Sequence, residues 1–100
     1  MSAPRFYLTP ESCRADVWLW RARFFKTRSL AARTIEAGGV RMTRGALRAS
    51  VDKPSRTLRV GDVVVFAQER RWVAARVEDF GERRGPASEA RALYSLLEDA

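Results

Sequence analysis

Two short amphipathic patterns lie back to back between Arg14 and Val40, and this stretch constrains the fold more than any other part of the chain. Apolar residues recur there at the three-and-four spacing of a helix, first from Asp16 and again after Thr27. Many of the remaining positions are Arg or Lys. The pattern predicts two helices that pack through their apolar sides and present cations outward, a layout typical of a nucleic-acid-binding surface.

The first helix is expected to end between Phe24 and Lys26. Asp16 would lie in its first turn, where the positive end of the helix dipole stabilises a carboxylate. Its buried stripe would consist of Ala15, Trp18, Leu19, Ala22 and Phe25. On this reading Arg21 and Arg23 are solvated. Trp18 belongs to the core, whereas Trp20 and Phe24 either stack on an unpaired base or pack against the C-terminal helix.

The second helix is expected to begin after Thr27, whose hydroxyl can accept a hydrogen bond from a backbone N–H of the first turn. Glycine commonly occupies the left-handed position that ends a helix, so Gly38-Gly39 predicts the C-terminus. The inner face would consist of Leu30, Ala31, Thr34 and Ile35. The exposed amides at the start of this helix form a natural seat for a phosphate.

The rest of the chain predicts a small, mainly antiparallel sheet and a terminal helix. Val40 to Met42 begins a strand, and Thr43 to Ser50 is expected to form an enlarged loop because it has no clear two-residue hairpin signal. Val63 to Phe66 reads as a buried strand. Gln68 to Arg71 would turn the chain into a further strand, Trp72 to Val77, in which Val73, Ala75 and Val77 share one face.

The terminal helix is expected over Ala87 to Asp99. Its apolar side would consist of Ala90, Leu93, Tyr94 and Leu97. Before it, the run Glu82-Arg83-Arg84 is either a second RNA contact or a solvated turn. The predicted fold class is α+β.

The positive charge is concentrated in the first part of the chain. Residues 1–60 carry 13 Lys or Arg against 4 Asp or Glu, whereas residues 61–100 carry 6 against 8. Of the 19 basic residues, 17 are Arg, whose planar fork can bind a phosphate through two hydrogen bonds. The charge distribution therefore predicts an acidic partner for the first part, and a length of 100 residues predicts one domain.

Composition argues against several classes of protein. With no His and one Cys, the chain lacks the residues for a zinc site, a Ser/His/Asp triad or an intrachain disulfide. We therefore expect no enzyme activity, no cofactor, no metal and no small-molecule substrate. Neither a signal peptide nor a membrane-length apolar run is recognisable, so the expected location is the cytoplasm and no membrane partner is expected.

Four short motifs resemble the RNA-binding domain named after ribosomal small-subunit protein S-four, also called the alpha-L motif. Its pattern is R-L-D-x-x-L, S/T-R-x-x-A, I-x-x-G-x-V ahead of an N-G turn, and V-x-x-G-D. The N-G turn is missing here and Ala15 replaces the leucine. The matching positions are Arg14, Asp16, Leu19, Thr27, Arg28, Ala31, Ile35, Gly38, Val40, Val60, Gly61 and Asp62.

A narrower resemblance, over residues 14–97, is to the bacterial ribosome-associated heat shock protein fifteen family. It rests on W-L-W-x-A-R-F-F-K-T-R-S-L-A, D-K-P-S and E-R-R-G-P-A-S-E-A-x-x-L-Y. The resemblance implies an alpha-L fold with two packed N-terminal helices on the sheet. It divides the chain into an N-terminal arm (1–12), an S-four-like RNA-binding domain (13–67) and a C-terminal hairpin strand and helix on the same module (68–100).

The resemblance also implies a function without catalysis. Members bind free large ribosomal subunits that carry a nascent chain on transfer RNA, through ribosomal RNA, and aid their recycling under stress. Transfer RNA is a further expected partner. The residues expected to contact RNA are Arg14, Lys26, Thr27, Arg28, Arg33, Arg41, Lys53 and Arg56. If about five phosphates are engaged, the logarithmic salt slope of binding should be about −3.5 to −4.5.

Three other interpretations stay open at this stage. One is a general structured-RNA-binding domain. Another is a DNA-binding helix-turn-helix protein, because two short helices with a basic second helix also fit that motif. The third is an RNA-modifying enzyme reduced to its binding domain, with an active site supplied by a partner.

Overall fold

The structure, a computed structural model, describes residues 12–97. Two helices near the N-terminus are followed by a mostly β region. The helices are α1 (Ala15–Arg21), α2 (Arg28–Glu36) and a short α3 (Ala87–Ala90), which continues into one turn of 3₁₀ helix, Arg91–Leu93. The strands are β1 (Cys13–Arg14), β2 (Val40–Arg44), β3 (Leu47–Ser50), β4 (Thr57–Leu58), β5 (Val63–Gln68), β6 (Arg71–Val77) and β7 (Tyr94–Leu96). The predicted α+β class is confirmed.

Five strands form one sheet in the order β3-β2-β5-β6-β7, and every neighbouring pair is antiparallel. A separate two-stranded ladder joins β1 to β4, with Arg14 opposite Thr57. The core lies between the helices and one face of the large sheet. Its residues include Trp18, Leu19, Ala31, Ile35, Val40, Met42, Val64, Phe66, Ala75 and Val77. The opposite face of the sheet is not covered by these helices.

The predicted extent of the first helix was wrong: α1 ends at Arg21, not between Phe24 and Lys26. The Arg23 amide donates to the Trp20 carbonyl (3.0 Å) and the Phe24 amide to the Leu19 carbonyl (3.1 Å). This is the Schellman arrangement that closes a helix. Arg23 holds the left-handed position, with φ of 67°, where glycine is usual.

The second helix agrees closely with its prediction. Thr27 Oγ1 accepts a hydrogen bond from the Leu30 amide at 3.0 Å, and Gly38 takes the left-handed position after the last turn, with φ of 84°. Ala31 and Ile35 are fully buried, as expected. Leu30 is different because 41% of it is exposed.

Residues 43–50 form a tight hairpin, so the enlarged loop was a wrong prediction. Arg44 pairs with Leu47 across a two-residue turn, Gly45-Ala46. Gly45 has φ of 58°, and glycine at the first central position suits such a turn. The turn after Gln68 is confirmed: Gln68 pairs with Arg71, and both intervening residues have positive φ.

The predicted terminal helix is much shorter than expected. The chain leaves its helical conformation at Leu93, and β7 then pairs with β6, with Leu96 opposite Ala75 and Tyr94 opposite Val77. The hydrogen bonds along this edge replace those of a continued helix. Residues 98 and 99 of the predicted helix lie outside the described residues.

Arginines bind the end of α1 to the segment before α3, which corrects the expectation that they are solvated. Arg21 Nη1 donates to the carbonyls of Phe80 (3.3 Å) and Gly81 (2.9 Å), and Arg23 Nε donates to the Gly85 carbonyl (2.7 Å). In return, Arg84 Nε donates to the Trp20 carbonyl at 3.0 Å. These side chains act as structural ties.

The aromatic residues of this region pack inward. Trp18 is fully buried, as predicted, and its Nε1 donates to the Asp79 carbonyl at 3.0 Å. Phe24 is half-buried, with its ring 4.6 Å from that of Tyr94 and 5.0 Å from that of Phe66. Trp20 is also half-buried, beneath the Arg84 guanidinium at 5.9 Å. Neither Trp20 nor Phe24 is a free platform for a base.

The N-terminal arm predicted for residues 1–12 lies outside the described residues, apart from Ser12. Within the described part of the chain, no helix is long and apolar enough to span a bilayer.

Candidate nucleic-acid interface

Asp16 lies at the centre of the predicted site, at the junction of the two helices. It is only 3% exposed. Arg14 approaches it with both edges of its fork, Nε to Oδ1 at 3.1 Å and Nη2 to Oδ2 at 3.2 Å. Arg28, the first residue of α2, donates from Nε to Oδ2 at 3.2 Å. One buried carboxylate therefore holds two arginines that come from different elements.

The two guanidinium groups remain accessible although their carboxylate partner is buried. The side chain of Arg14 is 47% exposed and that of Arg28 is 49% exposed, against 4% for Asp16. The two Nη groups of Arg28 have no hydrogen-bond partner within residues 12–97. They can therefore donate to an external anion while Nε stays bound to Asp16, as the fork geometry of arginine permits.

The ionisation of Asp16 follows from this arrangement. Burial raises its pKa, and the hydrogen bonds and charges of Arg14 and Arg28 outweigh burial, so that the net pKa lies below the ordinary value of 3.8. The same hydrogen bond and charge raise the pKa of Arg14. Asp16 is consequently an anion at neutral pH, and the pair of arginines keeps its orientation.

The turn at residues 53–56 brings two more predicted residues to the start of α1. The Arg56 carbonyl accepts from the Ala15 amide (2.8 Å) and the Pro54 carbonyl from the Asp16 amide (3.2 Å). The Arg56 amide closes the turn by donating to the Lys53 carbonyl at 2.9 Å. Lys53 and Arg56 thus belong to the same end of the molecule as Arg14.

The start of α2 has the exposed side chains and unpaired amides on which the predicted phosphate seat depends. Lys26, Thr27 and Arg28 are all exposed. Thr27 satisfies the Leu30 amide, whereas the amides of Arg28 and Ser29 have no partner within the described range. Unpaired amides at a helix N-terminus attract an anion through hydrogen bonding and the helix dipole.

Two predicted residues do not join this cluster. Arg33 is exposed on α2 but lies five residues beyond Arg28, which rotates it by about 140° around the helix axis. Arg41 is exposed on β2 between the buried Val40 and Met42. It therefore points away from both helices, on the outer face of the sheet.

Sequence reasoning missed the anchoring role of Asp16 and assigned it only to the helix dipole. The available signal was a carboxylate two residues after Arg14 and close to a second arginine-bearing helix. It also missed Arg44, which donates from Nε and Nη2 to the two carboxylate oxygens of Asp62, each at 2.8 Å. Asp62 is 1% exposed and also accepts from the Arg59 amide, which explains the aspartate of the G-D motif as a structural residue.

Other reactive chemistry is sparse in the described residues. They contain no group of three or more carboxylates, His or Cys that could hold a metal ion. Burial raises the pKa of the Cys13 thiol above 9.0, with Arg21 opposing that effect. A thiol in this state is a weak nucleophile at neutral pH.

Comparison with known proteins assigns this region to a known domain and the chain to a known family. The model of the S4 domain matches residues 13–42, which contain Asp16, Arg14 and Arg28. The heat shock protein 15 homolog of Haemophilus influenzae is 33% identical over 93 residues, which are 93% of this chain and 67% of that protein. The chain belongs to the heat shock protein 15 family.

Two further relatives support the family assignment. Heat shock protein 15 of Escherichia coli K12 is 38% identical over 81 residues, or 81% of this chain, and the match spans 57% of the length of that relative. The trimeric structure of Vibrio cholerae heat shock protein 15 has a TM-score of 0.74 and 37% identity, covering 87% of this chain and 83% of that one. The similarity to the family therefore extends well beyond the residues matched by the S4 domain.

Proposed function

We propose that this chain binds ribosomal RNA and acts by binding, without catalysis. The observation that carries the proposal is the buried Asp16, which holds the half-exposed Arg14 and Arg28 beside the start of α2. Double-stranded RNA is recognised mostly through its shape, phosphates and 2′-hydroxyl groups. A rigid set of arginine forks and helix amides suits those contacts.

We propose that the full contact set consists of the eight residues expected from the sequence, in two groups. The central group surrounds Asp16 and the start of α2: Arg14, Lys26, Thr27, Arg28, Lys53 and Arg56. Arg33 and Arg41 would reach parts of the RNA that extend beyond this group. All eight fall within residues 13–67, which we propose as the RNA-binding unit, with 68–100 building on the same module.

The proposed target is the free large ribosomal subunit that carries a nascent chain on transfer RNA, in the cytoplasm of a stressed cell. The family assignment supports the stressed-cell setting, since the relatives are named heat shock proteins. The protein would bind large-subunit ribosomal RNA, with transfer RNA as a second contact, and help return the blocked subunit to use.

The test is sedimentation of the protein with separated small subunits, free large subunits and joined ribosomes at near-physiological salt. We expect the protein to co-sediment selectively with free large subunits, and more strongly when they carry peptidyl transfer RNA. The Arg28→Ala variant should co-sediment less. Arg83→Ala is the matched control: Arg83 is exposed and paired with Glu89 (2.7 Å), which favours the solvated-turn alternative for the Glu82-Arg83-Arg84 run, and it lies outside the central group. Equal co-sedimentation with every RNA-containing fraction would indicate general RNA binding only.

Competition between structured RNA and duplex DNA at equal salt tests the helix-turn-helix alternative. In this protein α2 is followed directly by β2, and its first turn is tied to α1 through Asp16. We expect structured RNA to compete more strongly. A clear preference for DNA would contradict the proposal.

A further inference from the structure

The outer face of the five-stranded sheet is an exposed basic surface of its own. Val73, Ala75 and Val77 of β6 point to the core, so Trp72, Ala74 and Arg76 lie on the other side. The same alternation puts Arg41 of β2 on that side. Arg48 joins them because it pairs with Thr43, the outward neighbour of Arg41.

The strand register arranges these residues in rows across the sheet. One row runs Arg48, Thr43, Val63, Arg76, Ser95, through successive cross-strand pairs. The next row runs Ser50, Arg41, Val65, Ala74. Arg48 and Arg76 are three strands apart, or about 14 Å at the usual strand spacing. Arg41 lies between them, one row along.

The charged strand positions of this face are all arginines, and Glu78, just beyond β6, is a carboxylate on the same side, next to Arg76. Arg41, Arg48 and Arg76 are exposed, and none has a carboxylate partner within residues 12–97. No outward strand position described above carries a carboxylate. Glu69 lies in the turn at one end, and Glu78 at the other accepts a hydrogen bond from Ser95 Oγ at 2.6 Å. A polyanion would therefore meet three arginines that are not neutralised.

Trp72 adds a contact of a different kind. It is 71% exposed, more than any other large apolar residue among those described. It pairs across the strands with Ala67, whose small side chain leaves the indole ring uncovered. Trp72 shares its side of the sheet with Arg41 and Arg76. An exposed aromatic ring on a face that also carries arginines is the arrangement on which unpaired bases stack.

We propose that this outer face, here called the Trp72 face, binds a single-stranded segment of RNA. A base would stack on Trp72, and its phosphates would follow Arg41, Arg48 and Arg76. The inference rests on the proposed RNA binding and extends it, because the Trp72 face lies on the side of the sheet opposite the helices. The protein would then hold structured RNA at the Asp16 cluster and an unpaired strand at the Trp72 face.

The experiment is a titration of the full chain with single-stranded decauridylate, followed by tryptophan fluorescence. Stacking on Trp72 should quench the emission, whereas Trp18 is buried and cannot reach a base. Trp72→Ala should lower the affinity by about 5- to 150-fold, the range for one stacked base. Trp72→Phe should keep most of the affinity but lose the quenching. Arg76→Gln should reduce the salt slope by about 0.7.

Controls separate this inference from the proposed function. Val60→Ala removes another exposed apolar side chain, 57% exposed, and should not change decauridylate binding. Arg28→Ala should weaken binding to large subunits while leaving decauridylate affinity unchanged. The variants should keep the far-ultraviolet circular dichroism of the parent protein, since the altered side chains are exposed.

Equal affinity of Trp72→Ala and the parent chain, or no binding of decauridylate at all, would overturn the inference. Intact large-subunit binding in that case would leave the proposed function standing. If Trp72→Ala binds decauridylate as the parent chain does but no longer self-associates, this face is a protein contact, which also overturns the inference. Loss of large-subunit binding with Trp72-dependent decauridylate binding intact would instead count against the proposed function alone.

Discussion

Arg28 Nε, at the start of α2, donates to Oδ2 of Asp16, in the first turn of α1, over 3.2 Å. This bond crosses the junction between the two helices, and Arg14 holds the same carboxylate from β1. The buried carboxylate between the two helices therefore fixes the positions of two arginines on the exposed, basic surface. A change at buried Asp16 should consequently alter the properties of two exposed arginines.

Replacing Asp16 with Asn tests this connection. Asn keeps the shape of the side chain but loses the charge that aligns both guanidinium groups, so we expect the free energy of unfolding to fall by about 1–3 kcal/mol. RNA affinity at a temperature where the variant is folded should fall roughly fivefold, because the freed arginines must be ordered on binding. Urea unfolding and fluorescence anisotropy with a labelled structured RNA measure the two effects. Asp52→Asn, at an exposed carboxylate, should change neither.

Acid should weaken the protein through Asp16. Its pKa is lower in the folded than in the unfolded chain, so the folded state binds its proton less readily. The stabilisation is fully present above the unfolded value of about 3.8 and is lost as the pH falls through the folded value. Urea unfolding measured from pH 7 to pH 2.5 should therefore show the difference between the parent protein and Asp16→Asn shrinking below about pH 4. A difference that stays constant over the whole range would show that the carboxylate charge is not its source.

The salt dependence of RNA binding should reveal the phosphate contact of Arg28. The parent protein should give a logarithmic slope of about −3.5 to −4.5, and Arg28→Ala should reduce its magnitude by about 0.7–0.9. Affinity measured at four or more salt concentrations gives the slopes. Arg83→Ala removes the same charge at a site paired with Glu89 and should leave the slope of the parent unchanged. A slope near zero for the parent would contradict phosphate binding altogether.

The left-handed conformation of Arg23 predicts an order among variants at that position. Arg23→Ala and Arg23→Gly both lose the hydrogen bond to the Gly85 carbonyl, so their difference isolates the backbone. Because glycine adopts φ near 67° without strain, Arg23→Gly should be more stable than Arg23→Ala by about 1 kcal/mol. Thermal and urea unfolding of the two variants provide the measurement. Equal stabilities would mean that the backbone relaxes on substitution.

The pair formed by the buried Asp62 and the half-buried Arg44 should matter for stability and not for RNA binding. Asp62→Ala leaves Arg44 without its bidentate partner and the Arg59 amide unsatisfied, so unfolding should become easier by about 2–4 kcal/mol. Decauridylate and structured-RNA affinities, measured on the folded fraction, should remain those of the parent. A loss of RNA binding without a loss of stability would contradict this structural role of Asp62.

The comparison of the two helix ends shows how much of the fold local sequence could predict. Both α1 and α2 finish with the same hydrogen-bond pattern and a left-handed residue. At α2 that residue is Gly38, a recognised stop signal, and the prediction was confirmed. At α1 it is Arg23, which carries no such signal, and the prediction ran past the true end. What holds Arg23 there includes its bond to the Gly85 carbonyl, a contact 62 residues away.

The C-terminal strand shows a similar limit. Ala90, Leu93 and Leu97 have helical spacing, yet Tyr94–Leu96 is extended because the edge of β6 offers hydrogen bonds to it. The hairpin at Gly45 could not be predicted from that glycine either, since it forms through the pairing of β2 with β3, which places Arg44 opposite Leu47. Pattern predicts the presence of apolar faces, whereas pairing between distant segments decides which conformation uses them.

The two N-terminal helices and their order, the cap at Thr27, the stop at Gly38 and the excess of cations follow from the sequence alone, because each depends on neighbouring residues or on composition. Only the tertiary structure decided which cations act together. It gathers Arg14, Arg28 and the 53–56 turn around Asp16, and uses Arg21 and Arg23 as internal ties. It also places Arg41 on a separate face with Trp72. These assignments depend on distances between segments far apart in the chain, which only packing of the core and pairing of the strands determine.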